Sequence, residues 1–232
     1  MSKQFEIRRE VVLEATPAQI FAAVTENQGS WLFPMPYPPA DGTVDAQGSR
    51  VTKWDPPHEV AVRTEGPDGW FNALEHVIEA RDGGTAVLRY VHSGIFTDDW
   101  DTQYDGAGKH TDFYLHSLGQ YVKHFPGRGA TYVAADGPAA SHAPGAVDVL
   151  RRALGVTAVG DRVRIEGLGV DAEVDYLEGQ FIGLRDGDTL YRFYCREPWG
   201  APVSLAHHLF TEPADPEKTT AAWQTWLDAV YA

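Results

Sequence analysis

His76 and His92 fall inside two segments with the two-residue period of strands, where Leu74, His76 and Ile78 share one face and Leu88, Tyr90 and His92 share another. An inward-facing neutral imidazole serves as a base or as a hydrogen-bond partner, and Tyr90 lies one step along the same face as His92. These three, His92, His76 and Tyr90, are the catalytic candidates of the chain. No Asp or Glu is placed by sequence to orient either ring, so a histidine satisfied within the core or at its rim is the preferred reading. Glu75 and Glu79 lie on the face opposite His76 and read as solvated.

Other groups that could do chemistry are set aside one by one. His207 and His208 are consecutive in a strand pattern, so they point to opposite faces and cannot chelate one metal together. Asp98, Asp99, Asp101 and Asp105 lack the central glycine and closing glutamate of a calcium loop, and they fit the start of a helix whose dipole favours carboxylates. Gly167-Leu168-Gly169-Val170-Asp171-Ala172 resembles a dinucleotide fingerprint, but a strand pattern follows where a helix N-terminus would be needed. Cys195, between Tyr194 and Arg196, reads as a packing residue. No metal and no cofactor are expected.

The elements that must position these residues begin with residues 5–14, where Phe5, Ile7, Val11 and Leu13 alternate with charged residues and Arg9 and Val12 break the pattern. Thr16 caps a helix over about 17–25, with Pro17 at its first position, where a missing N–H costs nothing. Strands follow at 51–55 and 59–65 around Pro56-Pro57, then a hairpin of 70–81 and 85–93 joined by Asp82-Gly83-Gly84. From Tyr104 to Phe125 the period becomes helical, with Tyr114, Leu118, Tyr121, Val122 and Phe125 on one stripe.

Residues 127–145 are rich in Gly, Ala, Pro and Ser and read as a linker between a unit at 1–126 and a second at 146–232. The second unit shows a helix at 146–154 ended by Gly155. Strands follow at 161–166, 171–177, 179–185, 189–196 and 202–211, then a helix opened by Pro216. Its order repeats the later part of the first unit, which makes it a shortened, degenerate relative lacking the opening strand and helix.

Composition bounds the partners. With 19 Lys and Arg against 33 Asp and Glu, the formal charge of −14 repels nucleic-acid phosphates and anionic lipid headgroups, so neither nucleic acid nor membrane is expected. One cysteine forms no internal disulfide, the N-terminal residues have no signal-peptide core, and no apolar run approaches the roughly 18 residues of a span. A cytoplasmic location is expected.

Four segments in one order carry a resemblance: Glu10 to Pro17 with Ile20-Phe21, Trp31 with Phe33-Pro34, Trp54 to Pro57, and Gly83-Gly84-Thr85 through His92-Ser93-Gly94. Residues 5–125 resemble the START-like, or SRPBCC, superfamily, in its branch related to the activator of heat shock protein 90 ATPase. The resemblance implies an α+β helix-grip fold, a curved antiparallel sheet wrapped around a long C-terminal helix, with an apolar cavity between them. A smaller, related α+β unit follows it.

Polar and aromatic residues facing such a cavity would orient a ligand, and the candidates are Trp31, Phe33, Trp54, His76, Tyr90, His92 and Tyr114. The Trp31 to Met35 loop is expected near the mouth. The reading that follows is a binding protein for a small apolar or aromatic molecule rather than an enzyme. A cyclase- or hydratase-like enzyme is the first alternative, and an interaction module acting on a chaperone ATPase is the second. A homodimer stays open, and a chaperone partner is disfavoured because no additional docking domain is evident.

Overall fold

Strand β1 (Lys3–Leu13) turns Phe5, Ile7 and Leu13 into the core of the first unit and Glu6, Arg8 and Glu10 towards solvent. Full burial of each large apolar side chain contributes about 1.5–3 kcal/mol. Arg9 breaks the alternation for a structural reason: it pairs along the chain with inward Tyr90, and its guanidinium meets Asp112 through Nε at 2.5 Å and Nη2 at 3.1 Å. The carboxylate satisfies a charge that would otherwise be costly on that face.

Helix α1 (Pro17–Val24) starts on a full capping box, with Thr16 Oγ1 accepting from Gln19 N at 3.3 Å and Gln19 Oε1 accepting from Thr16 N at 2.9 Å. It buries Ile20, Phe21, Ala23 and Val24. Strands β2 (Ser49–Asp55), β3 (Glu59–Glu65), β4 (Phe71–Arg81) and β5 (Thr85–Phe96) complete an antiparallel sheet of order β1-β5-β4-β3-β2. The tight β4–β5 connection places Gly83 and Gly84 both at φ 76°, a region open to glycine at no steric cost.

Helix α2 (Trp100–His124) closes the unit and starts four residues before the sequence reading, because Gly106 and Gly108 hide its first turns. Gln103 Nε2 ties that start down by donating to Asp98 O and Oδ1 at 2.5 and 2.7 Å. The helix lies on β1: a methyl added at Gly119 would touch Leu13 Cδ2 at 3.4 Å, and Lys123 Nζ reaches Glu14 at 2.7 Å. Trp100 Nε1, Tyr104 Oη and Arg9 Nη1 donate to the Gln4, Glu6 and Arg8 carbonyls, which blunts part of this edge strand against pairing with another chain.

Gly94 is required by close approach. A methyl there would lie 2.7 Å from the Phe71 carbonyl oxygen and 2.9 Å from Phe5 Cε1. Gly94→Ala is expected to cost about 1–3 kcal/mol through overpacking, read as a lower urea midpoint at an unchanged slope.

The second unit opens on β6 (Thr131–Asp136), inside the stretch read as a linker, and continues through α3 (Ala146–Leu154). Strands β7 (Arg162–Ile165), β8 (Val170–Glu178), β9 (Phe181–Arg185), β10 (Thr189–Cys195) and β11 (Val203–Leu209) follow, then α4 (Pro216–Val230). The Gly167–Gly169 turn joins β7 to β8 as a hairpin, with Gly169 at φ 67°. Sheet order is β6-β11-β10-β9-β8-β7.

The second unit thus has an opening strand and helix of its own. Each unit runs strand, helix, antiparallel meander, helix, and in each the first strand pairs with the last. The missing opening strand was disguised by small residues: Val133 and Ala135 face the core, and β6 is held by pairing with β11 rather than by bulk. The boundary accordingly falls at 127/128, and residues Gly29–Phe33 belong with the second unit. The computed structural model describes residues 2–211 and 215–232, and no helix among them is long and apolar enough to cross a membrane.

Candidate functional site

The inner face of β4 presents Asn72, Leu74, His76 and Ile78 in alternation, and the register sets Leu74 opposite His92 and His76 opposite Tyr90 on β5. On the other side, β3 brings Val62 opposite Leu74 and Thr64 opposite Asn72. Over this part of the sheet lies a cavity of about 210 Å³. Its walls are Val62, Thr64, Asn72, Leu74 and His76 from the sheet, Val24 and Gln28 from α1 and the turn after it, and Met35, Pro36, Tyr37 and Pro38 from the following loop. Asp45, Gln47 and Ser49 complete the rim.

The polar groups of the wall are engaged with one another and with neighbours on β5. His92 Nε2 donates to Asn72 Oδ1 at 2.7 Å, which leaves Nδ1 as the lone-pair nitrogen of a neutral ring. The His76 and Tyr90 rings meet edge to face at 5.2 Å, and Tyr90 and His92 at 6.5 Å. Tyr90 is hydrogen-bonded to Thr111 on α2, and burial pushes its phenol well above the usual range. Ser49 Oγ and Thr64 Oγ1 bond each other at 2.7 Å, and Asp45 Oδ1 accepts from Gln47 N at 2.9 Å and Ser49 N at 2.8 Å.

Of the seven residues expected at the site, His76 lines the cavity, while Tyr90 and His92 do not line it but contact its lining residues His76 and Asn72. Tyr114 lies on α2, half-buried, 5.9 Å from the His110 ring and within electrostatic reach of Tyr90. Trp54 is 37% exposed and sits edge-on to Phe21 at 5.1 Å and 6.4 Å from the cavity-lining Tyr37. Trp31, buried, and Phe33, exposed, fall in the segment that belongs with the second unit, while Met35 from the same loop does line the cavity. Sequence reasoning missed Asn72, although its place two residues before Leu74 on the same face was a usable signal.

Desolvation lowers the pKa of both His76 and His92 to about 4. His76 keeps some exposed area through the cavity, yet the surrounding protein removes most of the water that would stabilise its charged form. Such groups act as neutral hydrogen-bond partners at neutral pH. Below the unfolded histidine value near 6.5 the unfolded chain binds protons that the folded chain does not, so protonation draws the protein towards unfolding. Stability is therefore expected to be full above about pH 6.5 and to fall as pH drops towards about 4, and urea midpoints measured across that window check it. His208, also lowered to about 4, and His207 add to the same trend.

No group of three or more His, Cys, Asp or Glu side chains among the described residues is placed to hold a metal. Cys195 is fully buried and its thiol is pushed up by desolvation, so it is not a nucleophile at neutral pH.

The second unit carries a counterpart to His92. His207 lies on the last strand opposite Val133 of the first strand, as His92 lies opposite Ile7. Its Nδ1 accepts from Arg192 N at 3.1 Å, and its Nε2 has no hydrogen-bond partner among the described residues. There the indole of Trp223 from α4 packs T-shaped against the imidazole at 4.4 Å, with Tyr191 and Phe193 at 5.2 and 5.0 Å.

No protein-family model matches the chain, and no curated protein does either. Solved structures do match. Protein MLL2253 from Mesorhizobium loti is 18% identical over 52% of this chain and 98% of its own, with a TM-score of 0.44. The Aha1 dimer from Colwellia psychrerythraea is 20% identical over 51% of this chain and 96% of its own, with a TM-score of 0.39. BexL, the di-domain ARO/CYC of the BE-7585A biosynthetic pathway, is 15% identical over 96% of this chain and 92% of its own, with a TM-score of 0.43. By its own strand orders and helix positions, the chain is an α+β protein of two helix-grip units.

Proposed function

We propose that the first unit binds a small, largely apolar molecule of single-ring size, with His76 as a neutral polar partner. The observation that carries this reading is the cavity of about 210 Å³, walled by Val24, Val62, Leu74, Met35 and prolines, with polar groups at defined points. A dry apolar cavity of about 150 Å³ already accepts benzene, so a ring with one or two substituents fits the space. Apolar walls supply affinity and the few polar groups supply orientation.

Native mass spectrometry of the protein as purified tests it. A retained small molecule is expected on the unaltered chain and is expected to be absent from Leu74→Trp, whose indole fills the space, provided circular dichroism shows that variant folded. A retained mass that survives in folded Leu74→Trp would place the ligand elsewhere.

A cyclase- or hydratase-like reaction is the second reading, favoured by the contact in which Asn72 orients His92 and leaves Nδ1 free to accept a proton. Two features weigh against it: burial makes His92 a poor base, and His92 is not among the residues that line the cavity. Turnover unchanged in folded His92→Ala would remove His92 from any such role.

A further inference from the structure

We infer that the cavity of the first unit takes an uncharged ring bearing a hydroxyl group, a phenol by class, and rejects the carboxylate of the same ring; this rests on reading that cavity as a ligand site. Charge decides the matter. No lysine or arginine is among the described residues that line the cavity, while Asp45 places a carboxylate at its rim. One Asp45 oxygen is held by two backbone amides, at 2.9 and 2.8 Å, which fixes the charge in place. A ligand carboxylate would be taken out of water beside a like charge with no cation to meet it, in a chain whose net charge is already −14. Burial keeps His76 from supplying the positive charge at neutral pH.

A phenol meets no such obstacle. The Ser49 and Thr64 hydroxyls share one hydrogen bond at 2.7 Å and Asn72 Oδ1 is engaged by His92; beside Gln28, Tyr37 and Gln47, the His76 ring is the wall group that offers a ligand a lone-pair nitrogen. A phenolic hydroxyl can donate to the lone-pair nitrogen of His76 without burying a charge.

The test is a titration of the full chain at pH 7 with three rings of one shape: p-cresol, p-xylene and 4-methylbenzoate. One hydrogen bond of ordinary strength corresponds to roughly a tenfold change in affinity, so p-cresol is expected to bind about tenfold or more tightly than either competitor. In His76→Phe, p-xylene is expected to bind still, and the preference for p-cresol over it to vanish. Equal or tighter binding of 4-methylbenzoate overturns the inference, as does a phenol preference that survives in His76→Phe. Binding of p-xylene alone overturns the phenol class while leaving an apolar site, whereas no binding of any ring removes the ligand-site reading and the inference with it.

Discussion

Asp175→Ala is expected to destabilise the second unit by about 3–5 kcal/mol, the cost of breaking a buried ion pair from one side. Arg192 on β10 is 0% exposed and Asp175 on β8 is 8% exposed, and the guanidinium addresses the carboxylate with Nη1 at 3.3 Å and Nη2 at 3.1 Å. Nη1 also donates to the Leu184 and Tyr191 carbonyls, at 3.0 and 2.9 Å. Carbonyl oxygens offset only part of a full charge, so removal of the Asp175 carboxylate takes a formal counter-charge from a buried guanidinium. Gly183 shows how tightly the pair is housed, since a methyl there would lie 3.0 Å from Arg192 Nη1. The double change Asp175→Leu with Arg192→Met is expected to recover most of the loss, because a buried pair is worth little more than well-packed apolar residues of its size. Urea unfolding of the three chains checks both statements; a loss below about 1 kcal/mol for Asp175→Ala would mean the charge is satisfied by other means.

Trp223→Ala is expected to cost a similar amount, about 3–5 kcal/mol, and to be rescued in part by free indole. Trp223 is 3% exposed and its ring meets Tyr191, Phe193, Trp226 and His207 at centroid distances of 5.9, 6.0, 5.5 and 4.4 Å. Truncation removes the indole from a rigid aromatic box that cannot collapse around the gap. A ligand that binds the folded state alone raises stability in proportion to the logarithm of its concentration, so indole is expected to raise the thermal midpoint of Trp223→Ala more than that of the unaltered chain. The last-strand histidine of each unit packs edge-on against a ring of the protein itself, Trp223 at 4.4 Å from His207 and Phe5 at 4.9 Å from His92. Equal response of the two chains to indole would show that truncation opens no site.

Strands whose inner faces carry large side chains were legible, as were helices with strong caps. Phe5, Ile7 and Leu13 announced β1, the Thr16-Pro17 start announced α1, and Trp223 with Leu227 announced α4. What failed to show was whatever depends on a distant partner. β6 is made of Thr, Tyr, Val, Ala and Asp, and it becomes a strand because β11 pairs with it across a long stretch of sequence. Arg9 looked like a break in β1 until Asp112 on α2 supplied its counter-charge. Arg192 sits in a run whose every residue is buried, so no alternation marked it as internal.

The site divides in the same way. His76, Tyr90 and His92 follow from alternation within one hairpin, and hairpin register is fixed locally. Asn72 joins them only through its bond to His92, and the rim residues Asp45, Gln47 and Ser49 owe their place to a turn held by backbone amides. The residues from the aromatic-proline loop divide between the two units, with Met35 lining the cavity and Trp31 in the segment belonging to the second. Local periodicity carries no information on where such a loop is apportioned.

The most direct measurement is the histidine side-chain nitrogen spectrum of the full chain during a p-cresol titration at pH 7. The account predicts that the His76 imidazole resonances move most, that those of His92 follow through Asn72, and that those of His207 and His208, enclosed in the second unit, stay in place. Movement at His207 with His76 unchanged, or no histidine movement at concentrations where p-cresol is shown to bind, would contradict it.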